Sequence, residues 1–81
     1  NDIIFDVYPN PASTSIYCRM LKAEVSGELY IYDLSGRQIQ SLPVTGNQQL
    51  KIDVSEYPAG LYHMVLRNDK VFLGQKKFVV R

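Results

Sequence analysis

The sequence has few of the residues that crosslink or activate very small proteins. Among its 81 residues there is one cysteine, Cys18, one histidine, His63, and no tryptophan. A single cysteine excludes an internal disulfide, and this Cys/His count excludes the familiar zinc arrangements. Chains of about 70 to 80 residues often need such a crosslink. Since this chain can form neither of them, packing alone must hold it together.

Strong charge and long apolar runs are also lacking. Nine basic and eight acidic residues give a net charge of +1, which is too balanced for a nucleic-acid-binding protein. No apolar run approaches the roughly 20 residues of a membrane span. No signal peptide is recognised at Asn1, and the apolar fraction of 46% is ordinary for a globular protein. We therefore expect one domain over residues 1–81, cut from a longer protein.

Apolar residues recur with a period of two, which is typical of strands. In the clearest case Leu50, Ile52 and Val54 alternate with Lys51 and Asp53. A polar segment, Arg37–Leu42, suits a sheet edge, and Leu61–Arg67, apolar on both faces, suits a central strand. About seven strands are predicted, at Asp2–Tyr8, Ser15–Leu21, Glu28–Asp33, Arg37–Leu42, Gln49–Val54, Leu61–Arg67 and Lys70–Val80.

Seven short strands separated by turn signals indicate an all-β fold. The prediction is a small antiparallel immunoglobulin-like β-sandwich without a disulfide. A closed barrel is the alternative.

The turn sequences have specific chemistry. Asp33 to Arg37 reads as a type I turn with a G1 bulge, in which Gly36 supplies the positive φ. Asn68 and Asp69 suit a tight hairpin because both tolerate the left-handed region. Pro58 and Gly60 bracket a compact turn, and Gly74 marks a bulge or bend.

Four motifs stand in order along the chain: Pro9-Asn10-Pro11, Asp33 with Gly36-Arg37, Gly60-Leu61-Tyr62, and a basic-apolar ending at Lys76–Arg81. Together they resemble the type A C-terminal sorting domain of the type IX (Por) secretion system of Gram-negative bacteria. The resemblance covers the chain from Val7 onward. It departs from the family at Arg19–Gly27, where the second strand and its loop are longer than expected.

The resemblance implies that residues 1–81 are a single C-terminal sorting domain of a larger secreted cargo protein, and that the domain is a sorting signal and not an enzyme. Cargo proteins of this kind cross the inner membrane, fold in the periplasm and pass through an outer-membrane translocon to the cell surface. The implied partners are the translocon, outer-membrane shuttle proteins and a sortase-like surface peptidase. That peptidase removes the domain near its N-terminal border, close to Asn1–Asp6, and cargo is released or joined to anionic lipopolysaccharide. No cofactor, metal, nucleic acid or membrane span is implied.

The resemblance also makes the ending the segment that the translocon recognises: Lys76, Lys77, Phe78, Val79, Val80 and Arg81. A strand at a free end can add to a receptor's sheet edge, while alternate side chains fill pockets. Two faces are predicted, one with Lys76, Phe78 and Val80 and the other with Lys77, Val79 and Arg81. The face that does not pack on the sandwich is available for recognition. Deleting Lys77–Arg81 is expected to leave the cargo folded but trapped in the periplasm.

Other residues have structural interpretations. Arg37 is predicted to pin its hairpin, the Pro9–Pro11 motif to stiffen a crossing, and Cys18 to lie in the core. His63 is predicted to be packed or hydrogen-bonded rather than catalytic. The tyrosines are expected to pack on strands: Tyr8, Tyr17, Tyr30, Tyr32, Tyr57 and Tyr62.

Two other functions and one assembly stay open at this point. The domain could be a carbohydrate-binding or adhesive module, or a passive spacer. A dimer through an edge strand is not decided by the sequence.

Overall fold

The computed structural model describes residues 5–20, 26–45, 49–69 and 71–81, and these contain seven strands and no helix. The strands are β1 (Phe5–Tyr8), β2 (Ser15–Met20), β3 (Gly27–Tyr32), β4 (Gln38–Val44), β5 (Gln49–Asp53), β6 (Gly60–Asn68) and β7 (Val71–Val80). Each predicted strand is present. The predicted residues Asp2–Ile4, Leu21 and Lys70, and most of the loop between Arg19 and Gly27, lie outside the described residues.

The strands form two sheets with the orders β1-β2-β5 and β4-β3-β6-β7, and all strand pairs are antiparallel. An immunoglobulin constant domain has its first, second, fourth and fifth strands in one sheet. Here the fourth strand, β4, belongs to the other sheet, so a three-stranded sheet faces a four-stranded one. The predicted immunoglobulin-like sandwich is therefore confirmed, and the barrel is wrong because two separate sheets are present.

Strand positions follow from side-chain patterns. The polar segment β4 lies at a sheet edge, as predicted, and carries Pro43, which an edge strand tolerates because the missing N–H is not needed by a neighbour. The apolar β6 lies between β3 and β7, also as predicted. Arg37 lies outside β4, although its carbonyl accepts the N–H of Asp33 at 3.0 Å, and the regular strand pairing begins at Gln38.

The core lies between the two sheets and is apolar throughout the described residues, with no buried polar or charged residue among them. The three-stranded sheet contributes Phe5, Ile16, Cys18 and Ile52, and the four-stranded sheet contributes residues of the same kind: Leu29, Ile31, Met64, Leu66, Phe78 and Val80. Along most strands these side chains alternate with more accessible ones, so the period of two in the sequence corresponds to the inner and outer faces. The central strand β6 is the exception, because Met64, Val65 and Leu66 are all buried.

The hairpin turns and the bulge form where the sequence predicted them. Gly36 has φ +90°, and its N–H donates to the carbonyl of Asp33 at 3.0 Å, closing the type I turn. Asp69 has φ +54°, whereas Asn68 is still in β6. On β7, Leu73 is the extra residue between the pairs Leu66–Gly74 and Arg67–Phe72, so the bulge lies beside Gly74.

Candidate recognition site around the last strand

The end of β7 has one buried and one exposed face. Phe78 and Val80 are 0% and 2% exposed and belong to the core, while Lys77, Val79 and Arg81 are exposed. Lys76 is half-buried on the same face as Phe78. Of the six residues predicted for recognition, the two core residues therefore support the fold, and a partner can contact Lys77, Val79 and Arg81 directly.

The inner edge of this segment pairs with the start of β6, which contains the Gly-Leu-Tyr motif. Gly60, Leu61 and Tyr62 lie opposite Val80, Val79 and Phe78 respectively. The rings of Tyr62 and Phe78 stack with centroids 5.6 Å apart, and the Tyr62 hydroxyl donates to the carbonyl of Pro58 at 2.6 Å. Tyr62 is thus a positioning residue that joins the β5–β6 turn to the last strand.

The outer edge of the same segment is also paired, by residues Pro9–Ala12, here called the strap. The backbone N–H of Val79 donates to Asn10 Oδ1 at 3.0 Å. The N–H of Ala12 donates to the Val79 carbonyl at 2.7 Å, and the N–H of Arg81 donates to the Ala12 carbonyl at 2.8 Å. Both proline peptide bonds of the strap, Tyr8–Pro9 and Asn10–Pro11, are cis.

The strap changes how the ending can be recognised. The expectation of an open β-edge does not hold at Val79 and Arg81, because the strap binds the N–H and the carbonyl of Val79 and the N–H of Arg81. Along a strand, the backbone N–H and carbonyl groups of successive residues point alternately to its two edges. The backbone groups of Gln75 and Lys77 therefore also point to the outer edge, where no partner is found within the described ranges. A partner that binds residues 79–81 of this folded domain therefore contacts their side chains rather than a free backbone edge.

The Asp33–Arg37 turn lies at the same end of the four-stranded sheet. Asp33 Oδ1 accepts hydrogen bonds from the N–H of Ser35 (3.0 Å), the hydroxyl of Ser35 (2.7 Å) and the N–H of Arg37 (3.0 Å). These hydrogen bonds hold the pKa of Asp33 below its ordinary value, and the bond from the Ser35 hydroxyl has the largest effect. Arg37 Nε lies 3.3 Å from Asp33 Oδ2, so the arginine forms an ion pair within its own hairpin, while its side chain stays 77% exposed.

A hollow of about 240 Å³ lies between this turn and the last two strands. Leu34, Leu61, His63 and Lys77 are among the residues that line it. Val79 is the cross-strand partner of Leu61 and therefore shares its face of the sheet. We name the three exposed aliphatic residues Leu34, Leu61 and Val79 the apolar ridge.

The structure therefore brings parts of all four sequence motifs to one end of the sandwich. The strap and the Gly-Leu-Tyr motif flank the last strand on its two edges, and the hairpin turn lies beside Leu61. Sequence reasoning missed two participants, Ala12 and Leu34. A leucine at the tip of a polar turn was the available signal for Leu34, whereas the pairing of Ala12 had no local signal.

The remaining singled-out residues have the structural roles predicted for them. Cys18 is fully buried, and burial, with a smaller contribution from Asp6, raises the pKa of its thiol to about 12, so the thiolate is disfavoured. His63 is hydrogen-bonded through Nε2 to the side-chain oxygen of Gln75. All six tyrosines make ring contacts, in the pairs Tyr8–Tyr17, Tyr30–Tyr32 and Tyr57–Tyr62, and Tyr62 also stacks on Phe78.

The described segments contain no helix long and apolar enough to cross a membrane. Nor do those segments contain a group of three or more His, Cys, Asp or Glu side chains that could hold a metal ion.

Comparison with known protein families gives one result that agrees with this geometry. The family model described as "Secretion system C-terminal sorting domain" matches residues 6–81. Curated protein sequences give no match. A domain of this kind is a sorting signal and not a class of enzyme, it interacts with a secretion system, and it directs export to the cell surface or out of the cell. Because the match covers nearly the whole chain, the chain belongs to the secretion-system C-terminal sorting domain family, the type IX family that its motifs resemble.

Proposed function

We propose that this domain is the C-terminal signal of a larger secreted cargo protein and directs that cargo from the periplasm through the type IX outer-membrane translocon. The observation that carries the proposal is the family match over residues 6–81, together with the meeting of the four motifs at one end of the sandwich. The direct partners are the translocon and the outer-membrane shuttle proteins.

The recognised group in this proposal is the exposed face of the last strand. Lys77 and Arg81 place two cations on either side of Val79, and cations at a rim accelerate encounter with an acidic receptor surface. Phe78 and Val80 act indirectly, because their burial fixes the strand in register with β6.

A sortase-like peptidase then removes the domain, and the cargo is released or joined to anionic lipopolysaccharide. We place the cut before Phe5. A peptidase needs an extended, unpaired segment, whereas Phe5–Tyr8 pairs with β2 and the Phe5 side chain is 2% exposed. The domain would leave as an intact sandwich.

Substitutions test the proposal better than deletion. Removing Lys77–Arg81 would delete two core side chains and unfold the domain, so loss of export would have two causes. The double variant Lys77→Glu with Arg81→Glu changes exposed residues only. Arg19→Glu with Lys51→Glu, on the three-stranded sheet, is a matched control that changes the net charge equally.

In the full-length cargo protein in its natural host, the first pair is expected to cause periplasmic accumulation and loss of surface or secreted cargo. The control pair is expected to be exported normally, and both should unfold at a temperature close to that of the parent protein. Normal export of the Lys77→Glu, Arg81→Glu protein, or equal loss in both pairs, would contradict the proposed role of the terminal segment.

A further inference from the structure

The apolar ridge brings exposed aliphatic side chains from separate parts of the chain together at one place on the surface. Leu34, Leu61 and Val79 are 79%, 38% and 37% exposed, and they come from three separate segments, a turn and two strands. The turn needs the Asp33 carboxylate, a donor at Ser35 and the freedom of Gly36, but nothing in its hydrogen bonding requires an aliphatic side chain at Leu34. Exposed aliphatic residues that converge in this way are typical of interaction sites.

The shape of the surface around the ridge suits inserted side chains. One hollow lies on the side of Leu34 and Leu61 that faces His63 and Lys77. A second lies on the side that faces Ile39, Pro58 and Ala59. Leu34 and Leu61 line both hollows, so they stand between two depressions that can each receive a side chain from a partner.

The charge around the ridge has one sign. Arg37, Lys77 and Arg81 are exposed near it. Among the described residues that line the two hollows, Asp33 is the single carboxylate, and its oxygens are taken up by Ser35 and Arg37. An uncompensated positive rim around an aliphatic centre is complementary to a surface with an apolar centre and an acidic rim.

We infer that the apolar ridge docks a protein partner that presents aliphatic or aromatic side chains flanked by carboxylates. This inference rests on the proposed sorting function and extends it, because the recognised surface then includes the Asp33–Arg37 turn and Leu61 as well as the last strand. The strap supports recognition through this face, since it already binds both backbone groups of Val79 and the N–H of Arg81.

Leu34 gives the sharpest test because its side chain is the most exposed of the three. The variants are Leu34→Glu and Leu34→Lys, which remove the same apolar group but add opposite charges. Val71, which is 59% exposed at the other end of β7, offers the matched controls Val71→Glu and Val71→Lys. All four are made in the full-length cargo protein, and export is measured in the natural host with unfolding temperature as the check on folding.

If the partner is acidic, the variants should differ in the amount of exported cargo in a definite order. Leu34→Glu is expected to lower exported cargo about tenfold, and Leu34→Lys only ~2- to 3-fold, because attraction to carboxylates offsets part of the lost apolar contact. Both Val71 variants are expected to export within about twofold of the parent. Equal loss for the two Leu34 charges, or loss at Val71 as large as at Leu34, would overturn the docking site.

The outcomes separate this inference from the function on which it rests. If the Leu34 variants are exported normally while Lys77→Glu with Arg81→Glu is retained, the docking face is wrong and the sorting function stands. If neither set alters export, the docking face and the proposed recognition of the terminal segment are both wrong.

Two further measurements on the purified full-length protein test the class of the occupant. Sedimentation equilibrium tests whether the parent protein forms a dimer that Leu34→Glu dissociates. No such dimer is expected, and finding one would mean that the occupant is a second copy of the chain. Co-sedimentation with vesicles containing the host's lipopolysaccharide is expected not to depend on Leu34, and dependence would replace the protein partner with an anionic glycolipid.

Discussion

The side-chain oxygen of Asn10 accepts a hydrogen bond from the backbone N–H of Val79, across 69 positions of sequence. With the two backbone bonds of Ala12, this contact closes the strap over the last strand and links two motifs that stand at opposite ends of the chain. It also explains the Pro-Asn-Pro motif as more than a stiff crossing, because the asparagine between the prolines has a specific backbone partner.

Replacing Asn10 tests the strap. Asn10→Ala removes the acceptor for the Val79 N–H and is expected to lower the free energy of unfolding by about 0.5 to 1.5 kcal/mol, the net contribution of one hydrogen bond. Amide hydrogen exchange at Val79 should become faster. Asn10→Asp keeps an acceptor oxygen and serves as the control; unchanged exchange at Val79 in Asn10→Ala would argue against the strap contact.

Neighbouring residues of the last strand should differ sharply in their effect on stability. Phe78→Ala empties a fully buried site beside Tyr62 and is expected to lower the free energy of unfolding by about 3 to 5 kcal/mol. Val79→Ala, on the exposed face, should lower it by less than about 1 kcal/mol. Urea unfolding of both variants measures the difference, and equal losses would mean that the assignment of the two faces is wrong.

Two glycines should respond differently to an added methyl group. At Gly36, φ is +90° and a Cβ would meet no atom within 4 Å, so Gly36→Ala should cost only the backbone strain of about 1 to 2 kcal/mol. At Gly27, a Cβ would lie 2.1 Å from the carbonyl oxygen of Arg67 on the neighbouring strand β6, in addition to an unfavourable φ of +155°.

Gly27→Ala is therefore expected to be the more destabilising of the two, because β3 and β6 must separate to admit the methyl group. Thermal unfolding compares them directly. A Gly27→Ala protein as stable as Gly36→Ala would show that the two strands are not held this closely.

The turn carboxylate should make stability depend on acid pH. Because the folded state holds the pKa of Asp33 below its ordinary value of 3.8, the ionised group stabilises the fold above that value, and the contribution is lost as pH falls through the lower folded pKa. Asp33→Asn removes this dependence. The difference in urea midpoint between the parent and Asp33→Asn should be constant near neutral pH and shrink below about pH 4; a difference that grows on acidification would have the wrong sign.

Local chemistry accounts for the parts of the structure that the sequence predicted. The Asp33–Arg37 turn forms from contacts among five consecutive residues, and the strands follow from alternation along each segment. The alternation of side chains along the last strand also predicted that Phe78 and Val79 lie on opposite faces. It could not predict which of them faces the core, because that depends on the pairing of β7 with β6.

Long-range contacts account for what the sequence did not predict. The strap depends on a side chain meeting a backbone 69 positions away, and no local pattern encodes such a meeting. The apolar ridge likewise combines three segments that become neighbours only when the sheet assembles. For this reason the motifs could be recognised individually from the sequence, but their common location could not.

The closure of residues 10–12 onto residues 79–81 has a consequence for the order of events during biosynthesis. A polypeptide is made and threaded across membranes from its first residue to its last, so β7 is delivered after every other strand of this domain. Until then Tyr62 lacks the ring on which it stacks, and Ala12 lacks its backbone partner. The complete sandwich therefore requires that translation has passed β7, and a machine that accepts only the complete sandwich would reject products that terminate before this strand.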